Sequence, residues 1–195
     1  KREFRAVARL THPNLVELHD LHHDGERYFY TMELVDGVDF YVYVNGHNRL
    51  VTDRKVLTVR ARLDRVHNGI VGLLRALAYL HENGCIHRDI KPSNVLVDRD
   101  GEVRLVDFGI VKQLLPGGVG QSLSQVFGTS TYFSPEQSLG SSVTSATDLY
   151  AVGVVLYELW VGTPPFDGDS AEGAVAHRTQ APPHLRGRAD LPRAL

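Results

Sequence analysis

Apolar and polar positions recur along the chain with periods near 3.6 and near 2, and each period marks an element. Lys1 to Leu10 carries Phe4, Val7, Ala8 and Leu10 at a helical spacing, and Pro13 stops that helix. Leu15 to Leu21 and Arg27 to Val35 read as two strands with Gly25 in the turn between them. In the second strand Tyr28, Tyr30, Met32 and Leu34 fall on one face and Phe29, Thr31 and Glu33 on the other. Asp36 and Gly37 punctuate the chain, and Asn45 to Asp53 is a polar loop. From Arg60 to Asn83, Leu63, Val66, Ile70, Leu74 and Leu77 form one helical stripe, with Gly84 as the C-terminal cap. Two short apolar runs, Val95 to Val97 and Val103 to Val106, are joined by Asp98-Arg99-Asp100-Gly101-Glu102 and predict a β-hairpin. Pro116 to Gly128, with its glycines and Ser122 and Ser124, predicts a mobile loop. Leu149 to Trp160 is apolar on nearly every face, the pattern of a buried helix, and Pro164-Pro165 ends it. The tail from Ala181 onward, with Pro182, Pro183 and Pro192, predicts no packed element.

A length of 195 residues suits one domain, including one with two lobes. A compact chain of this size hides roughly 70% of its unfolded surface and needs no disulfide or metal staple. Apolar residues at 43% and charged residues at 23% exclude a disordered, collagen-like or coiled-coil chain. Lys plus Arg number 21 against 23 Asp plus Glu, a net charge of -2 that argues against a general binder of nucleic acid or anionic membranes. The single cysteine, Cys85, cannot form an internal disulfide and fits a reducing compartment. The most apolar stretch, Leu149 to Val161, is interrupted by Glu158 and is too short to span a bilayer, and no signal peptide opens the chain. These features predict a soluble, cytoplasmic protein. Position 1 is Lys and Met32 is the only methionine, so the natural start is expected to lie elsewhere.

The strongest chemical signal is His87-Arg88-Asp89-Ile90-Lys91-Pro92-Ser93-Asn94, followed thirteen residues after Asn94 by Asp107-Phe108-Gly109. Asn94 stands just before the first strand of the predicted hairpin and Asp107 just after the second, so antiparallel pairing brings them together. An amide oxygen and a carboxylate then face one point. Such hard oxygen ligands suit Mg²⁺, which takes its remaining oxygens from phosphate and water. Asp89, on the loop leading into the hairpin, lies within reach of a hydroxyl approaching a terminal phosphate, where it orients that hydroxyl and accepts its proton. Lys91 adds positive charge where negative charge accumulates on the transferred group. A single Asp or Asn at a strand end is ordinarily a cap or turn residue, and only the joint spacing outweighs that reading.

These motifs resemble the catalytic loop and metal-binding triplet of eukaryotic-type (Hanks-type) protein kinases. The resemblance implies an α+β, two-lobed fold truncated at both ends. Residues 1–39 would be the remnant of the small lobe, with the regulatory helix, two strands and the hinge, and residues 40–195 most of the large lobe. It implies ATP- and Mg²⁺-dependent transfer of the γ-phosphoryl group to protein hydroxyls, with Asp89 as base, Lys91 steadying the phosphate, and Asn94 and Asp107 on the metal. Lys91, two residues after Asp89, matches the serine/threonine-type pattern, so Ser and Thr are the implied acceptors. Asp-Ile-Lys-Pro-Ser-Asn is similar to the wording of bacterial serine/threonine kinases.

By the same resemblance, Met32 to Gly37 is the gatekeeper and hinge, and Glu33 and Val35 offer backbone groups to the adenine edge. Asp39 is implied near the ribose, with a helix cap as the competing role. Phe40 and Leu96 are implied near adenine, with core packing as the competing role. Glu3, nine residues before His12-Pro13-Asn14, matches the Glu that pairs with a third-strand lysine. His87 is implied to pack against Phe108, and Arg88 to dock a phosphate carried by the mobile loop, where Ser122 and Ser124 are candidate phosphorylation sites. Gly128-Thr129, Tyr132 and Ser134-Pro135-Glu136 resemble the end of an activation segment, with Ser in place of the commoner Ala. Thr129 is implied to hydrogen-bond Asp89 and Lys91. Asp148 matches the Asp that ties the buried helix to the catalytic loop, with an N-cap as its competing role. His19, His22 and His23 lie close in sequence, but the predicted strand and turn point them apart, which argues against a zinc site.

A glycine-rich phosphate loop and a third-strand Val-Ala-Ile-Lys motif are expected upstream of Glu3, and the family's last helices beyond Leu191-Pro192-Arg193. Two other classes fit parts of the pattern. A pseudokinase scaffold is opposed by the intact Asp89, Asn94 and Asp107 but kept open by the missing lysine. A small-molecule phosphotransferase of the aminoglycoside or choline type is opposed by Gly128-Thr129 and Ser134-Pro135-Glu136. Without the upstream strands a sheet edge and an apolar face are expected to be bare, which disfavours solubility. In a radiolabelled-phosphate transfer assay this polypeptide alone is expected to show little or no turnover while the intact parent is active, because phosphoryl transfer depends on positioning. Turnover by the isolated chain equal to that of the intact domain contradicts this expectation.

Overall fold

A computed structural model describes residues 4, 7–26, 28–46, 57–107, 130–166 and 171–184. At the N-terminus the Ala8 N–H donates to Phe4 O and the Leu10 N–H to Val7 O, the end of a helix that stops before His12 and Pro13. The next segment does not enter a strand at Leu15. Leu15 instead forms a parallel bridge with Leu105, and the Val16 N–H donates to Leu105 O at 3.0 Å, so both residues are drawn into the core. β1 therefore runs over Leu18–His23, pairs antiparallel with β2 (Tyr28–Met32), and turns at Gly25, whose φ is 104°.

A second, three-stranded antiparallel sheet has the order β3 (Gly37–Asp39), β4 (Val95–Asp98), β5 (Val103–Leu105). The hairpin expected at residues 95–106 is its β4–β5 pair. β3 corrects the reading of Gly37 as punctuation: a Cβ there would lie 2.2 Å from Val97 O, so glycine is what allows this strand to close on β4. A three-residue strand leaves too little alternation to be seen in sequence.

Asp39 caps α1 (Phe40–Asn45), and Gly46 closes it. Thr58 caps α2 (Val59–Glu82), a 24-residue helix, and Gly84 follows in the left-handed region with φ 71°. The buried face of α2 differs from the predicted stripe. It comprises Val66, Gly69, Gly72, Leu73, Ala76, Leu77 and Leu80, rotated from the predicted stripe by roughly 90° round the helix, and Leu74 is 39% exposed. The cause is close approach: a Cβ on Gly69 would lie 2.1 Å from Phe40 Cε2, and one on Gly72 2.8 Å from Val103 Cβ. The helix lays its smallest residues against α1 and β5, and hydrophobicity alone does not count a glycine as buried.

α3 (Pro135–Ser138) leads into α4 (Ser145–Val161), which begins four residues before the predicted Leu149. Thr144 and Thr147 cap each other there, a polar start that precedes the apolar run. Gly162, with φ 90°, ends α4 ahead of Pro164, so the prolines are not its stop signal. Not every face of α4 is covered, since Leu149 is 51% exposed. α5 (Ala171–Thr179) has no counterpart in the predicted elements. One apolar cluster runs from Phe4 through Leu15, Phe40, Leu73 and Val95 to Trp160. Among the described residues no helix is long and apolar enough to cross a membrane.

Gly69→Ala is expected to lower the unfolding free energy by about 1–3 kcal/mol, because the added methyl overlaps the Phe40 ring. Gly153→Ala, where nothing lies within 4 Å of the new Cβ, should instead raise it by about 0.5–1 kcal/mol. Urea titration of both variants checks the pair of signs.

Candidate active site

The segment leading into β4 has no regular structure until a 3₁₀ turn at Pro92–Asn94, so its shape is set by side chains. Asp148, in the first turn of α4, is buried beneath it. Its Oδ2 accepts from the His87 N–H at 2.9 Å and its Oδ1 from the Arg88 N–H at 2.8 Å, while His81 Nε2 lies 2.8 Å from Oδ2. The cap of α4 is Thr144, so capping is not what Asp148 does. Arg88 sits at φ 67°, and its carbonyl accepts from Gln137 Nε2 at 2.8 Å.

His87 is fully enclosed. Its Nδ1 accepts from the Asp89 N–H at 3.3 Å, which assigns the ring proton to Nε2, 3.0 Å from Val106 O. Burial pushes this imidazole below its ordinary pKa, against the opposing pull of Asp148, Asp89 and Asp107, so the ring is neutral.

Asn94 donates from Nδ2 to both Asp89 O, at 2.8 Å, and Asp89 Oδ2, at 3.0 Å. Both partners are acceptors, so the side-chain orientation is fixed and Oδ1 is the atom left for a ligand. Lys91 Nζ lies 3.2 Å from Asp89 Oδ2. The β4–β5 ladder continues one rung past Val95 and Leu105, with the Val106 N–H donating to Asn94 O at 2.9 Å. Asp107 follows on that rung with φ 58°. Asp89, Lys91, Asn94 and Asp107 are thus gathered at one end of the sheet.

Tyr30 reaches Asp107 from β2, its hydroxyl donating to Oδ1 at 2.7 Å. Burial first, then the hydrogen bond and the charge of Asp107, push the Tyr30 phenol well above its ordinary pKa and keep it a donor. No sequence motif pointed to this contact.

The donor set fits Mg²⁺. Among the described residues no group of three or more His, Cys, Asp or Glu side chains forms a metal cage, whereas Asn94 Oδ1 and one oxygen of Asp107 match an ion that completes its shell with phosphate and water.

In the segment expected to be the hinge, the Glu33 N–H donates to Glu17 O at 2.9 Å, and Leu34 is 95% exposed between Glu33 and Val35. Among the described residues neither the Glu33 carbonyl nor the Val35 N–H takes a backbone partner. Asp39 Oδ1 accepts from the Val42 N–H at 2.9 Å, the cap of α1, and Asp39 stands opposite Leu96 in the β3–β4 pair. Phe40 is buried against Gly69, the core position rather than an adenine contact. Arg88 Nε is buried without a hydrogen-bond partner among the described residues. Glu3, Phe108, Ser122, Ser124 and Thr129 lie outside the described residues. Of the expected activation-segment end, Tyr132 donates to the buried Glu158 at 2.6 Å, Ser134 caps α3, and Glu136 Oε1 accepts from Thr147 Oγ1 at 2.5 Å.

The neutral His87 sets a pH dependence. Its folded pKa is depressed below the ordinary 6.5, so the unfolded chain takes up a proton that the folded chain refuses. The stability this contributes is complete above the unfolded pKa and is lost as pH falls below it. His177 has the same sign, since burial lowers its pKa as well. Thermal unfolding should therefore shift to lower temperature between about pH 7.5 and about pH 5.5, and His87→Gln, though less stable at the upper end, should show a shallower decline.

The sequence matches the protein kinase domain family over residues 1–189. It is 38% identical over 197 residues to the probable serine/threonine-protein kinase PknB of Lactococcus lactis, covering 100% of this chain and 30% of that protein. Bacillus subtilis PrkC, a serine/threonine-protein kinase, is 35% identical over 181 residues, with 93% and 26% covered. Mycobacterium tuberculosis PknL, also a serine/threonine-protein kinase, is 37% identical over 196 residues, with 98% and 43% covered. The chain thus spans less than half the length of these curated relatives. A crystal structure of the Mycobacterium tuberculosis PknI kinase domain superimposes with a TM-score of 0.61 at 32% identity, over 85% of this chain and 57% of that one. With its ordered end of sheet, its enclosed imidazole and these relatives, the chain belongs to the protein kinase domain family.

Proposed function

We propose that the protein containing this chain transfers the γ-phosphoryl group of ATP to Ser and Thr hydroxyls of other proteins, with Mg²⁺. The observation that carries this is the Asn94 amide: with both N–H bonds committed to Asp89, its oxygen is presented at the end of the sheet where Asp107 begins. When bound, the divalent ion neutralises phosphate charge and fixes the nucleotide. Asp89 orients the incoming hydroxyl and accepts its proton, and the two hydrogen bonds from Asn94 hold the carboxylate in line for that transfer. Lys91, within 3.2 Å of Asp89, supplies positive charge beside the transferred group. Buried Val106 and His87, bonded through Val106 O and His87 Nε2, form the floor of the site.

The same reading gives Glu33 and Val35 the adenine edge, Leu96 an apolar face of the nucleotide, and Asp39 the ribose in addition to its cap on α1. It gives Glu3 a lysine partner and Thr129 a bond to Asp89 and Lys91. Arg88 becomes the dock for a phosphate on Ser122 or Ser124, a role supported by its buried Nε, which has no hydrogen-bond partner among the described residues. On this reading residues 1–39 and 40–195 are the parts of the small and large lobes; β1 and β2 form a sheet of their own, and β3, at the end of the first part, pairs with β4 of the second. A cytoplasmic location, where ATP is plentiful, belongs to this reading.

Steady-state phosphate transfer to Ser- and Thr-containing peptides by the whole protein tests it. Asp89→Asn should lower kcat by about 10²–10⁴ while nucleotide binding is kept, since only the base is lost. Asp107→Ala should lower both. Undiminished kcat in Asp89→Asn, or strong transfer to sugars but not to peptides, overturns the proposal.

A further inference from the structure

The Tyr30 hydroxyl and the Asp107 carboxylate are 77 residues apart in sequence and 2.7 Å apart in space. The phenol comes from β2 and the carboxylate from the end of β5, so this bond links the two sheets. Tyr30 is itself held from behind by the Phe4 ring, at 6.2 Å between centroids and tilted by 41°. Asp107 has an exposed side chain on a backbone at φ 58°, where the conformation alone does not fix the direction of the carboxylate. The Tyr30 bond occupies Oδ1, and among the described residues Oδ2 has no hydrogen-bond partner.

We propose that Tyr30 is a positioning residue for the metal-binding carboxylate of Asp107: its hydroxyl fixes the carboxylate plane so that Oδ2 is presented to the cation. This rests on the kinase reading and adds a residue to it. A donor to one carboxylate oxygen raises no objection from charge, because a neutral phenol leaves the full negative charge for the metal. Partners that orient a metal ligand in this way are worth about 10- to 100-fold in metal affinity when removed. The ordering of Asp107 is then done by folding and not at the moment the nucleotide arrives.

The test uses the whole protein that contains this chain. Tyr30→Phe keeps the ring and its packing on Phe4 and deletes only the hydroxyl. Two ligands are compared by calorimetry or fluorescence: adenosine, which has no phosphate to engage a metal, and a fluorescent ATP analogue titrated with Mg²⁺. Tyr30→Phe should leave adenosine affinity and melting temperature unchanged and raise by about tenfold the Mg²⁺ concentration needed for half-maximal binding of the analogue. Tyr30→Leu, which also removes the ring, should show at least the same shift, and a loss of folding in this variant is read separately from its melting curve. An unchanged Mg²⁺ requirement in Tyr30→Phe overturns the inference. A lowered requirement overturns it as well, since Tyr30 would then be competing with the cation. Wild-type protein that binds adenosine but shows no Mg²⁺-dependent gain for the analogue, and no phosphate transfer, overturns the kinase reading itself.

Discussion

Asp148, with 1% of its surface exposed, accepts the backbone N–H groups of His87 and Arg88 and pairs with the ring of His81. A carboxylate taken out of water is costly unless its oxygens are filled, and here the loop through His87 and Arg88 fills them. The exchange works in both directions. Two loop N–H groups that no strand or helix would satisfy find charged acceptors, and those bonds hold Arg88 in a left-handed conformation that disfavours any residue with a Cβ by roughly 1–2 kcal/mol. The bend at Arg88 is what turns Asp89 towards Asn94 and Lys91. Gln137 completes the clamp by donating to the Arg88 carbonyl, so α3 and α4 together determine where the proposed base stands.

The other half of the site is fixed by how closely the backbone packs. Gly37 lets β3 lie against β4, Gly69 admits the Phe40 ring, and Gly72 admits Val103. With α2 seated on β5 and α1, the sheet cannot shift without opening the core, and protein interiors have little slack for that. Asn94 and Asp107 project from the ends of two neighbouring strands of this sheet. Their separation is therefore a property of the hydrogen-bond ladder, and the rung between Val106 and Asn94 carries it to the last residue before Asp107. Side chains on a loop would drift apart with loop motion, but these two move with the sheet.

What could be read from the sequence is what local geometry determines. The hairpin at 95–105 and the placement of Asn94 and Asp107 at its open end follow from a short turn and two apolar runs, because antiparallel pairing leaves little choice once the turn is known. The long helix was equally plain, but its buried face was not: Gly69 and Gly72 are the points of closest approach, and a glycine adds nothing to a hydrophobic stripe. β3 escaped because three residues with a glycine among them carry no period, and the start of α4 because Thr144 and Thr147 are polar. The contacts of Tyr30 and His81 were out of reach for another reason. Each joins segments more than 60 residues apart, 77 for Tyr30 to Asp107 and 67 for His81 to Asp148, and only the assembled core decides which carboxylate a given donor meets.

The distribution of charge explains why those two donors differ. Asp89, Asp107 and Asp148 all lie near enough to act electrostatically on His87, which burial nonetheless keeps neutral and therefore unable to offset them. Asp148, sealed from water, is balanced by two backbone donors and an imidazole. Asp89 is balanced by Lys91 and the Asn94 amide. Among the described residues Asp107 receives a phenol hydrogen bond from Tyr30 and no other, and a phenol orients a carboxylate without cancelling its charge. An Arg or Lys in place of Tyr30 would form a stronger pair and by the same measure weaken the pull of Asp107 on a divalent cation. A neutral donor at this position keeps the carboxylate both ordered and fully charged, the two properties that the proposed metal ligand needs together.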